Sequence, residues 1–145
     1  MSVEVVTETE IARPRDEVAQ FAADPDNATR WYANIESVRW ETPRPLVVGS
    51  RLAFVARFLG RPLSYTYDVR EHVPGERLVM ASAEGPLRME TTYEWRDSLS
   101  GGTLMTLRNR GEPSGFAHVA APLLARAMRH ANIKDLRKLK EILET

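Results

Sequence analysis

A chain of 145 residues is long enough to bury one core and too short for two of ordinary size, so one domain spanning residues 1–145 is expected. Hydrophobic residues make up 43% and charged residues 28%, a globular balance that argues against a disordered chain. Lys plus Arg equals Asp plus Glu at 20 each, which leaves no long-range field to select a polyanion and argues against nucleic acid as a partner.

Val3, Val5, Thr7, Thr9 and Ile11 alternate with Ser2, Glu4, Glu8 and Glu10, Val6 alone breaking the pattern, so the opening reads as a half-buried strand. Pro14 starts a helix. Proline fits a first helical turn, Asp16 and Glu17 complement the positive end of the dipole, and Val18, Phe21 and Ala22 form an apolar stripe. Asp24-Pro25 ends that helix and caps a second short one that closes near Trp31-Tyr32.

From Ile35 to Gly111, turn residues at Pro43 to Pro45, Gly60 to Pro62, Pro74-Gly75, Gly85-Pro86 and Gly101-Gly102 divide a succession of short segments, the pattern of an antiparallel meander. Leu63, Tyr65, Tyr67 and Val69 share one face of a segment, opposite Ser64, Thr66, Asp68, Arg70 and His72. Met89, Thr91, Tyr93 and Trp95 share one face of another, opposite Arg88, Glu90, Thr92, Glu94 and Arg96. In Arg51 to Leu59 both faces are apolar, Ala53, Val55 and Leu59 against Leu52, Phe54, Ala56 and Phe58, and alternation alone does not decide which points inward.

After Glu112-Pro113-Ser114-Gly115, the residues Phe116, Val119, Ala120, Leu123, Leu124, Ala127, Ala131, Leu136, Leu139 and Leu143 recur at mostly helical spacing. They predict an amphipathic helix of about thirty residues, roughly 45 Å long, with a kink or break at Pro122. Strands flanked by helices, without strict βαβ alternation, indicate an α+β fold. A helix ~10 Å across lies against a sheet much wider than itself, so the sheet is expected to curl and leave a pocket of ~300 to 1,000 Å³.

This order of elements resembles the START-like superfamily, also called SRPBCC or Bet v 1-like. Four stretches carry the likeness: Asp24-Pro25-Asp26-Asn27 with Trp31 after it, Pro74-Gly75-Glu76-Arg77-Leu78-Val79, Gly101-Gly102-Thr103, and Glu112-Pro113-Ser114-Gly115. Within that superfamily the chain is most similar to the bacterial polyketide cyclase/dehydrase and lipid-transport group. The resemblance implies a helix-grip fold, a curved seven-stranded antiparallel sheet wrapped around a long C-terminal helix, with two short helices after the first strand. It also implies a hydrophobic ligand that is lipid-, polyketide- or aromatic-like. Some members cyclise or dehydrate polyketide chains without a cofactor, polarising carbonyls with Arg, Tyr, Ser or Asn.

The residues expected to line the cavity are Trp31, Phe54, Phe58, Tyr65, Tyr67, Met89, Tyr93, Leu107, Asn109, Leu124 and Met128. Tyr65, Tyr67 and Asn109 are the candidate catalytic groups, polar handles in an apolar wall, and each also fits the role of a satisfied core residue. Arg70, Arg88 and Arg96 fall by alternation on the solvent face, a departure from cyclases that aim a strand arginine inward. Trp31, Tyr32 and Trp40 lie around the short helices, where they either gate the cavity or seal the helices against the sheet.

His72, His118 and His130 lack metal-ligand spacing, and neither a Gly-x-Ser-x-Gly elbow nor a glycine-rich phosphate loop occurs, so no metal and no cofactor is expected. The chain has no cysteine, and its first ten residues carry three glutamates rather than a basic-then-apolar signal, which is consistent with a cytoplasmic location. The apolar run Val119 to Ala125 is about seven residues, far short of the ~20 a bilayer span requires. Arg126, Arg129, His130, Lys134, Arg137, Lys138 and Lys140 give the last helix a basic face, suited to weak contact with anionic lipid or simply to solvent. Monomer and homodimer both stay open. So do three functions: a carrier, a cyclase or dehydratase, and an interaction module whose dimer face is what matters.

Overall fold

The computed structural model describes residues 2–84, 88–112 and 120–145. Strand β1 (Val3–Ile11) leads into helix α1 (Arg15–Ala23), a 3-10 turn (Pro25–Asn27) and helix α2 (Ala28–Trp31). Strands β2 (Ile35–Trp40), β3 (Arg51–Phe58), β4 (Arg61–Val73), β5 (Arg77–Glu84), β6 (Arg88–Asp97) and β7 (Thr103–Glu112) follow, and helix α3 (Ala121–Glu144) ends the chain. The expected turn at Gly85-Pro86, the stretch Pro113 to Gly115, and the residues Phe116, His118 and Val119 lie outside the described residues.

All seven strands belong to one antiparallel sheet in the order β1-β7-β6-β5-β4-β3-β2, so a six-strand meander is completed by β1 returning beside β7. Opposed residues share a face, and the register Val5 with Asn109 and Thr7 with Leu107 aligns the inward positions of the two strands. The 24-residue α3 lies over that face as in the helix-grip fold, burying Leu124, Met128, Leu136, Leu139 and Leu143. On β3 the burial of Leu52, Phe54 and Ala56 resolves the ambiguous strand, while Val55 faces out.

Two expectations change. Helix α3 begins at Ala121 and is about 36 Å long, the start of the expected run, Phe116 to Val119, lying outside the described residues. Pro122 sits in its first turn, where an N–H has no intrahelical acceptor, and Ala120 before it is extended, so of the kink or break expected at the proline α3 shows no kink and starts there. Leu123, counted in the apolar stripe, is exposed. His72 was expected on the solvent face with Arg70, but the β4–β5 register shifts between Val69 and Glu71 and leaves Arg70 as the extra residue. His72 therefore opposes Leu78, which is 1% exposed, and turns toward the inside.

The short helices close one end of the sheet. Asp24 caps the 3-10 turn by accepting the Asp26 N–H at 3.0 Å. Val18, Ala19 and Ala22 of α1 join the larger apolar cluster with Ile11, Leu52, Leu78, Trp95 and Leu136. A second cluster gathers Val3, Val5, Leu63, Met89, Leu124 and Met128 at the other end, and Tyr65 and Tyr67 pack against both. Among the described residues no helix is long and apolar enough to cross a membrane.

The β6–β7 turn is locked against the end of β1 by a glycine, since a Cβ at Gly102 would collide with the Ile11 carbonyl oxygen and crowd Ala12. Gly102→Ala must push two backbones apart and is expected to cost about 1–3 kcal/mol of unfolding free energy, read from urea denaturation.

Candidate functional site

The two apolar clusters do not close on each other completely. Between the sheet and α3 they leave a cavity of about 150 Å³, to which every strand except β1 contributes, through Ile35, Phe54, Tyr65, Met80, Tyr93 and Asn109, with Leu124, Met128 and Asn132 from α3. Side chains from so many strands converge on one small space because the sheet curves, and the register shifts in β2 and β4 supply bends. Exposed Asp24 and Arg57 mark where the cavity meets the surface.

A hydrogen-bonded chain crosses the wall. Thr91 donates to Asn109 Oδ1 at 2.5 Å, and Asn109 Nδ2 donates to Asn132 Oδ1 at 2.9 Å. The Thr91 proton is thereby committed, so the Tyr67 hydroxyl, 2.8 Å from Thr91 Oγ1, is the donor in that pair. The hydroxyls of Tyr32 and Tyr93 bond each other at 2.7 Å. Tyr65 stacks on Phe54 with ring centroids 5.3 Å apart, and its hydroxyl has no hydrogen-bond partner among the described residues. Burial pushes the Tyr67 phenol up to about 12 and raises those of Tyr32, Tyr65 and Tyr93 well above the ordinary range, so all four are neutral donors at physiological pH.

Asp135 is the acidic group inside. It is 2% exposed, and one carboxylate oxygen accepts the Ala33 N–H at 3.0 Å, tying the segment after α2 to α3. Burial pushes its carboxyl up to about 6, against the opposing pull of the Ala33 N–H and of Lys134. Its negative charge in turn helps to keep Tyr32, Tyr65 and Tyr93 protonated.

The sequence matches the family model described as polyketide cyclase / dehydrase and lipid transport over residues 2–144. The chain belongs to this family. Solved structures agree on the fold. A START superfamily protein from Mycobacterium smegmatis is 14% identical with a TM-score of 0.82, covering 97% of each chain. A protein from Thermus thermophilus is 22% identical with a TM-score of 0.79, covering 95% of this chain and 94% of the other. The Zhui aromatase/cyclase from a Streptomyces species is 15% identical with a TM-score of 0.78, covering 99% of this chain and 94% of the other. No curated protein matches the sequence. At these identities the structural likenesses establish the fold and not an activity.

Of the residues expected to line the pocket of this family member, Phe54, Phe58, Tyr65, Tyr67, Met89, Tyr93, Asn109, Leu124 and Met128 border the cavity. Trp31 and Leu107 do not. Both are almost fully buried, at 1% and 0% exposed, and pack as core behind the wall, Trp31 with its ring 5.7 Å from that of Tyr93. Trp40 also stands away from the cavity, where its indole N–H donates to Asp26 at 2.9 Å and Arg44 covers its ring at 4.8 Å, sealing the helices against the sheet. Tyr32 borders the cavity, as do Asn132 and Asp135, which the sequence reading left out. A signal for the last two was present: they fall on the same helical stripe as Leu124, Met128, Leu136 and Leu139, where polar residues are out of place. Arg70, Arg88 and Arg96 are exposed on the outer side of their strands.

Truncating Asn132→Ala strands the Asn109 amide nitrogen inside the wall, and the expected loss is about 1–3 kcal/mol in urea denaturation. Asp135 behaves in the opposite sense. Its carboxyl is harder to ionise in the folded chain than in the unfolded one, so stability falls as pH rises from about 4 through about 6. Asp135→Asn keeps an acceptor for Ala33 and removes the charge. Its unfolding free energy should exceed that of the parent by a margin that grows across that pH window and levels off at about 3 kcal/mol or less.

Proposed function

We propose that this chain is a non-covalent binding protein for one small apolar molecule, of about single-ring size, held between the curved sheet and α3. The observation that supports the reading is the cavity itself, about 150 Å³ walled by Phe54, Leu63, Tyr65, Met89, Leu124 and Met128. An apolar space of about that size takes up a benzene ring, whereas pockets for drug-sized ligands start at ~300 Å³. A multi-ring polyketide or a two-chain lipid is larger than a space of about 150 Å³.

Catalysis of cyclisation or dehydration is the second reading, and one observation favours it: Tyr65 presents a neutral hydroxyl beside the cavity, with no hydrogen-bond partner among the described residues. The other two candidates support it less, because the Tyr67 proton and both ends of the Asn109 amide serve the wall's own network. A preorganised oxyanion site needs donors aimed at the substrate, not at each other.

Ala56 points into the cavity from β3 and is buried, so Ala56→Phe fills the space. Calorimetric titration with toluene should give saturable binding to the parent chain, reduced by about tenfold or more in Ala56→Phe while the thermal transition remains cooperative. Undiminished binding in a folded Ala56→Phe would place the ligand elsewhere.

A further inference from the structure

The cavity contains an ionisable group whose bonding capacity its surroundings use only in part. One oxygen of Asp135 accepts the Ala33 N–H, and the other has no hydrogen-bond partner among the described residues. The remaining charged residues on the lining, Asp24 and Arg57, are exposed at the surface, and Arg57 is paired with Glu36 at 2.9 Å. Lys134, adjacent in sequence to Asp135, is exposed and not part of the lining. Among the described residues the interior therefore holds one carboxylate and no cation, in a cavity that the rings of Tyr32, Phe54, Tyr65 and Tyr93 also line.

Resting on the binding reading above, the geometry points to a ligand of one chemical class: a small apolar molecule with a protonated amine, its ammonium group paired with Asp135 and set against the tyrosine rings. Three physical effects act in the same direction. A buried carboxylate left without a counter-charge is destabilising, and a cation supplied by the ligand offsets that cost. Aromatic faces attract cations most strongly where water is excluded. A ligand carboxylate in the same place would meet like-charge repulsion in a region of low dielectric.

The test is calorimetric titration of the intact chain at about pH 7.5, where carboxylate and amine are both ionised, with phenethylamine, its neutral analogue propylbenzene and the anionic hydrocinnamate. Phenethylamine should bind about tenfold or more tighter than either of the others. In Asp135→Asn, checked for folding by thermal melting, the amine should lose its advantage over propylbenzene. Equal binding of the three, or a preference for hydrocinnamate, overturns the amine assignment and leaves the cavity reading standing. Failure of all three to bind overturns both. If Asp135→Asn does not fold, the ranking on the parent chain still decides.

Discussion

Seven antiparallel strands about 4.8 Å apart make a sheet roughly 29 Å wide, whereas the α3 helix that covers it is about 10 Å across. A flat sheet under one helix would leave most of its apolar face in water. Helix α3 packs on β1 and α2, and the curl brings side chains of β3, β4, β6 and β7 around the cavity that α3 closes, while α1 joins the C-terminal end of α3 through Val18, Ala22, Leu136 and Leu139. The pairing of β1 with β7 ties the first strand to the last, so the curled sheet holds together the elements farthest apart in sequence. What the curve does not fill remains as the cavity.

The wall of that cavity shows two ways of placing polar groups in an apolar interior. Tyr67, Thr91, Asn109 and Asn132 form a chain in which each member satisfies another, which rigidifies the wall and spends its donors. Tyr65 and Asp135 are different, since each retains bonding capacity that no described residue takes up. Asp135 combines both kinds of role: one oxygen tethers the segment after α2, and the other is available to the cavity. The contrast explains why candidates chosen for polarity alone, Tyr67 and Asn109, are less available for chemistry than their positions suggest.

Strand alternation made the inner faces of β4 and β6 readable, and with them Tyr65, Tyr67, Met89 and Tyr93, because side chains on a pleated strand have a period of two. The same rule misplaced His72, since one bulge inverts everything beyond it and leaves no mark in the sequence. Trp31 and Leu107 have the composition expected of a pocket and stand one layer behind it, for apolar side chains look alike whether they border a void or fill one. Asn132 and Asp135 went unread because the helix was traced by its apolar residues, although the same stripe carries them.

The sequence by itself determined the order of elements, the α+β class, the turns and the inward face of most strands, because these follow from local periodicity and from the backbone preferences of proline and glycine. It also carried the family resemblance in its turns and caps. Only the tertiary structure decided the size of the cavity, the start of α3, the partners of each hydroxyl and amide, and the burial of Asp135. Those depend on how residues far apart in the chain meet across the curved sheet, and no local pattern encodes the distance between two such side chains.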